Sequence, residues 1–171
     1  LALSSCIFGL CVVYKVPIAA AVLVALAVGA VCGLLNGLII AHVRIPPFIA
    51  TLATFYSYRG ILYGITKAAP IGPMPEGFKI LGQGGFFGIT YVIWFILILL
   101  LVSTFVLRRT KYGRYTLAMG GNVESTRLAG VNTNRLTFSL YVLIGVLAVV
   151  TSIFFNSRFP SVQPTTGTGM E

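Results

Sequence analysis

The sequence predicts an all-α protein, a polytopic bundle of transmembrane helices, and three observations carry that reading. Apolar residues gather into runs of roughly 20, the length that crosses about 30 Å of hydrocarbon at about 1.5 Å per helical residue. Hydrophobic residues fill 57% of the 171 positions and charged residues only 9%, with a mean hydropathy of +0.97, outside the range of a soluble domain. The runs lack the apolar–polar alternation of a membrane β-barrel, and one cleaved signal peptide would not account for several of them.

Residues 1–14 form an apolar run too short for a complete crossing, closed by Lys15 and Pro17. Residues 17–41 carry no charge and suffice to span with some tilt. His42 and Arg44 end that segment, and Pro46-Pro47 opens the next, 46–66, which is more polar and contains Arg59. Residues 67–88 are rich in Gly and Pro, a composition that cannot propagate a helix and reads as a loop. Spans at 89–107 and 136–155 follow, and then a polar tail. The chain is expected to be a single transmembrane domain over 1–171, truncated at both ends, since it opens on Leu1 inside an apolar run and closes on Glu171 within a loop.

Orientation follows from the insert RRTKYGRYTLAMGGNVESTRLAGVNTNR at 108–135. It holds Arg108, Arg109, Lys111, Arg114, Arg127 and Arg135 against Glu124 alone. An excess of basic residues in a short loop marks the cytoplasmic side. Alternation then places the turn with Arg44 inside as well. It places 67–88, with Lys67, Glu76 and Lys79, and the tail 156–171 outside the cytoplasm.

Residues 17–41 carry a small side chain at every fourth position: Ala21, Ala25, Gly29, Gly33, Gly37 and Ala41. Residues four apart share a helix face, so Gly29, Gly33 and Gly37 form a ridge on which another helix packs closely in lipid. Asn36 stands beside this ridge, and an amide in hydrocarbon needs a partner, so it either braces a neighbouring helix or lines a polar path. Arg59 is the one charge deep in an apolar segment, accompanied by Thr51, Thr54, Tyr56, Ser57, Tyr58 and Tyr63. Such a residue faces a bundle interior or a water-filled path, or else snorkels to the interface about 10 Å away. Asn36, Thr51 and Arg59 are thus the candidate pathway or interhelical polar residues.

The chain has no Asp, one His (His42) and three Glu, all in loops, so metal sites and acid–base pairs lack their raw material. No GxSxG elbow and no Walker A motif is present, and neither catalysis, nor a metal, nor a cofactor is expected. The net charge of +9 comes without the aromatic–basic interleaving of a nucleic-acid binder. Cys6, Cys11 and Cys32 lie in apolar runs and read as small buried hydrophobes.

Within the insert, Gly120-Gly121 can break a helix, Asn122 can cap a new one, and Gly130 can close it after about two turns. Glu124 near its start and Arg127 one turn later suit both the helix dipole and an ion pair. Two turns are marginal in water without tertiary support. With Val123, Leu128 and Val131 the segment suits docking into another protein, or else it is a solvated loop on anionic membrane lipid.

The stretch GLLNGLIIAHVRIPPFIATLATFYSYRGILYGITKAAPI at 33–71 resembles the middle helices of the permease subunits of bacterial ATP-binding cassette importers for ribose, galactose, xylose and related monosaccharides. The basic insert resembles their principal cytoplasmic loop, and RFPSVQPTTGTGME at 158–171 resembles the start of their next conserved region. An upstream DLSVGS-like signature and a downstream apolar continuation are missing, as truncation would have it. The resemblance implies a non-enzymatic permease in the bacterial inner membrane. Its implied partners are a second permease copy or homologue, an ATPase subunit that alone binds ATP, and an extracytoplasmic sugar-binding protein. It also implies that Gly121, Asn122, Glu124, Arg127, Leu128 and Gly130 belong to a helix coupling the permease to its ATPase. The rival reading is a gradient-driven secondary transporter or channel for a small polar solute, which acids within the apolar segments would favour; the chain has none there.

Overall fold

A computed structural model describes residues 2–43, 45–72, 78, 82, 84–86, 88–159 and 161–163. Helix α1 (Ala2–Val13) leads through a tight turn into α2 (Ile18–Leu38), which continues as a π-helical turn over Ile39–Val43. Then come α3 (Pro47–Thr66), a hairpin of β1 (Gly85–Phe86) and β2 (Ile89–Thr90), and α4 (Tyr91–Arg109). At the basic end lie α5 (Lys111–Gly121) and α6 (Val123–Leu128), and α7 (Thr133–Asn156) closes the order. Arg44, Glu76, Lys79 and the tail from 164 onward lie outside the described residues.

Proline opens both α2 and α3. Pro17 and Pro46 stand at the caps in extended backbone, and Pro47 occupies the first turn, where a missing N–H breaks no intrahelical bond. Helix α3 stops at Lys67, whose φ of 50° is left-handed. Three helices, Ile18–Val43, Tyr91–Arg109 and Thr133–Asn156, are long and apolar enough to cross a membrane. Helix α3 has a crossing length of 20 residues but is more polar, and α1 has 12 residues.

Helix ends differ from the sequence reading in explicable ways. The second segment runs past Ala41 to Val43, because His42 does not interrupt backbone bonding and the wider π turn absorbs the bend before Pro46. The span expected from Ile89 begins at Tyr91, since Ile89 and Thr90 pair with Phe86 and Gly85. The last helix starts at Thr133, where the Asn132 side chain caps it.

The bundle is organised on the small-residue ridge of α2, which lies against α7. A Cβ placed on Gly33 would collide with the Tyr141 carbonyl oxygen, and one on Gly29 would stand 2.8 Å from that of Gly145. The contact is reciprocal, for a Cβ on Gly145 would run into the Gly29 oxygen. Gly37 approaches Phe138 in the same way, with 3.2 Å from that Cβ position to the Phe138 Cα. Ala21 and Ala25 continue the ridge fully buried.

The end opposite the basic insert is tied by scattered contacts. Ile71 and Val162 exchange backbone hydrogen bonds of 2.8 Å, an isolated bridge that sets these two residues side by side. Phe8 packs against Phe78 with tilted rings 4.8 Å apart, and Asn156 Nδ2 donates to Ser5 Oγ, joining α7 to α1. Helix α4 stands apart with no buried residue, touching α7 through Phe95 and Phe154 at 4.9 Å.

Gly33→Ala is expected to lower the thermal stability of the detergent-purified protein by about 1–3 kcal/mol through overpacking against backbone. Gly64→Ala, where a Cβ would meet nothing within 4 Å, is expected to be neutral or stabilising by up to about 1 kcal/mol. Paired melting curves check the contrast.

Candidate functional site

Two groups of candidate residues occupy separate places. At the basic end the chain turns sharply at Thr110, whose Oγ1 donates to the Val106 carbonyl at 2.6 Å and accepts from Gly113 N at 3.1 Å. Only glycine fits at 113, since a Cβ there would overlap the Val106 carbonyl oxygen. The basic arm that precedes Asn122 is therefore a helix, α5. It is fastened to α7 by a 3.0 Å bond between the Tyr112 hydroxyl and Ser139 Oγ.

Asn122 adopts extended backbone between α5 and α6, and its Oδ1 accepts from Ser125 N at 3.0 Å. This satisfies one of the amides that every helix start leaves without a partner. Ala129 ends α6, and Gly130, at a φ of 84°, turns the chain out of it. The helix has only six residues, and Thr126 is the one it buries, with its hydroxyl donating to Asn122 O at 2.8 Å. Val123 is 55% exposed and Leu128 79%, so the apolar side chains of α6 face away from the protein. Glu124 and Arg127 pair at 2.5 Å on the same open surface. An exposed pair of this kind contributes about 0–1 kcal/mol, so caps and Thr126 hold α6 while the charges remain free to be read from outside. Behind α6, an open basin of about 840 Å³ lies between α5, α6 and the start of α7, with Arg114 and Arg135 on its wall. Gly121 closes α5, so the six residues grouped by resemblance share one exposed turn-helix-turn.

The second group lies within the helices. Thr54 Oγ1 donates to Asn36 Oδ1 at 2.7 Å, linking α3 to α2, and the Tyr58 hydroxyl donates to Cys32 O at 3.3 Å one turn further on. Arg59 carries its guanidinium 4.7 Å above the Phe55 ring. Thr51 donates to Pro47 O at 2.8 Å within α3. Asn36, Thr51 and Arg59 are brought together on the wall of a cavity of about 380 Å³ between α1, α2, α3 and α7. Gly29 and Gly33 join that wall from the helix seam, whereas Gly37 does not.

Sequence reasoning did not single out Gly145, Gly113 or Tyr141. Gly145 had a signal in the small residues Gly145, Ala148 and Ser152, which share one face of the last span. Gly113 had none, because its need arises from the turn at Thr110. Among the described residues no cluster of His, Cys, Asp and Glu could hold a metal ion.

Helices long and apolar enough to cross a membrane, packed through glycine, with a cavity between them and a short capped helix presented outward define a polytopic membrane protein. The chain belongs to the family described as branched-chain amino acid transport system / permease component, whose model matches residues 1–171. It is 36% identical over 175 residues to the ribose import permease protein of Escherichia coli (strain K12), covering 100% of this chain and 54% of that one. It is 39% identical over 136 residues to the L-arabinose transport system permease protein of the same strain, covering 80% and 42%. Against the autoinducer 2 import system permease protein of Salmonella choleraesuis (strain SC-B67) it is 36% identical over 158 residues, covering 92% and 45%. The chain thus spans about half the length of the curated relatives it matches. No solved structure matches it.

Replacing Asn122 with Ala is expected to cost about 1 kcal/mol of local stability and to speed exchange of the Ser125 amide about fivefold, as read by hydrogen–deuterium exchange. A double-mutant cycle on Asn36→Leu and Thr54→Val is expected to give a coupling of about 0.6–1.7 kcal/mol.

Proposed function

We propose that this chain forms part of the membrane permease of an ATP-binding cassette importer that admits a monosaccharide, ribose or arabinose in type, delivered by an extracytoplasmic binding protein. The observation that carries the proposal is α6, a six-residue helix whose caps are satisfied internally while Val123, Leu128, Glu124 and Arg127 are left for a partner. The names of the ribose and arabinose relatives support the cargo class. The partners are an ATPase subunit seated on α6, a second permease copy or homologue, and the sugar-binding protein against 67–88 and 156–171. The insert at 108–135 is cytoplasmic, ATP is bound by the ATPase alone, and the protein resides in the bacterial inner membrane.

In this mechanism, closure of the ATPase pair displaces α6. The motion passes through the Tyr112 to Ser139 contact into α7, and from α7 across the glycine seam to α2. ATP and the loaded binding protein supply the differential affinity that any shift between two states requires. Asn36, bonded to Thr54, braces α2 against α3, while Thr51 and Arg59 line the path.

Charge reversal tests the assignment in the full-length permease. Glu124→Arg or Arg127→Glu is expected to cut co-purification with the ATPase and sugar-stimulated hydrolysis more than tenfold. The doubly swapped protein keeps the pair within the helix but reverses the pattern offered to a partner, so it should fail as well. Full recovery in the swap, or no loss in either single variant, would mean that the pair serves α6 itself.

A further inference from the structure

The cavity between α1, α2, α3 and α7 has a composition that bracing alone does not require. Its roughly 380 Å³ lies near the small end of the range for sites that enclose small ligands, about 300–1,000 Å³. Phe55, Tyr58 and Tyr141 supply aromatic surface to its wall, and Asn36, Thr51 and Arg59 supply polar groups. Two of those polar groups are incompletely used. Asn36 spends its Oδ1 on Thr54, while its Nδ2 donates to nothing among the described residues. The Arg59 guanidinium rests on the Phe55 ring, and no carboxylate pairs with it among the described residues. A cation held among apolar helices keeps company with water or with a ligand that accepts its hydrogen bonds. No acidic side chain lines the cavity, which disfavours a cationic ligand.

We propose that this cavity is a transient binding site for a neutral polyhydroxylated ring. The apolar face of the ring lies on the Tyr141 side, and adjacent hydroxyls accept hydrogen bonds from Arg59 and Asn36 Nδ2. The guanidinium presents donors in a fixed fork, which matches two neighbouring oxygens better than one. Stacking on Phe55 holds that fork in place without neutralising it, since a ring face attracts the cation and leaves its edge donors available. The proposal rests on the permease reading and adds to it a specific site.

Cys32 lies on the same wall and serves as a reporter needing no substitution. The full-length permease, assembled with its ATPase in nanodiscs, is treated with a charged, water-soluble methanethiosulfonate reagent, and modification of Cys32 is followed by peptide mass spectrometry. Cys32 is expected to react, and 10 mM ribose or arabinose to slow it at least fivefold. Arg59→Gln should abolish the protection while Cys32 still reacts. Thr51→Val, which leaves the seam of α2 and α7 untouched, should weaken protection and guards against misfolding of the arginine variant. An inert Cys32, no protection by either sugar, protection by inorganic phosphate alone, or undiminished protection in Arg59→Gln would each overturn the site. If Cys32 is unprotected while ATP-driven uptake is intact, the cavity assignment falls and the permease reading stands. If protection persists while the charge reversals on α6 have no effect, the cavity assignment stands and the coupling role of α6 falls.

Discussion

Everything in this fold depends on the backbone contact between α2 and α7. In lipid, two apolar helices gain nothing by hiding from water, so association must come from close van der Waals contact and from hydrogen bonds. Gly29, Gly33 and Gly145 provide the former by letting the two backbones approach to distances that no side chain would permit. The seam is tight, and it fixes the relative height of what the two helices carry. Asn36 and Cys32 take their places in the cavity from α2, and Tyr141 takes its place there from α7.

The same helix connects the two candidate regions. The start of α7 holds α5 through Ser139 and stands at the edge of the basin behind α6. Its middle forms the seam, and its last residue, Asn156, bonds to Ser5 at the opposite end. One helix thus runs from the basic end to the opposite end, with the cavity on its flank. Helix α6 suits the input end for an energetic reason. Its fold is secured by Asn122 and Thr126, so its exposed residues can be engaged by a partner without dismantling it.

Much of this was legible in the sequence because its causes are local. Proline positions marked the openings of α2 and α3, and Asn122 and Gly130 marked the ends of the α6 turn through cap chemistry that depends on neighbouring residues alone. The four-residue repeat of small side chains announced a close helix contact, but not which helix would fill it. That information lies far along the chain, in the small-residue face of Gly145, Ala148 and Ser152, which nothing local ties to α2. The helical nature of α5 was hidden by its charge and its three glycines. What decides it is Thr110 capping a new helix and Gly113 tucking under the end of α4, a tertiary fit with no periodicity. Asn36 announced the need for a partner, and only the crossing of α2 and α3 made that partner Thr54.

The most direct test of the central claim is oxidative cross-linking across the seam. In the full-length protein, in membranes and with the native cysteines replaced by alanine, cysteines introduced at Gly37 and Phe138 should form an intrachain disulfide rapidly. The pair at Gly64 and Phe138 should remain reduced, since Gly64 faces open space. Equal rates for the two pairs, or cross-linking of the second without the first, would contradict the packing on which the cavity and the coupling path rest.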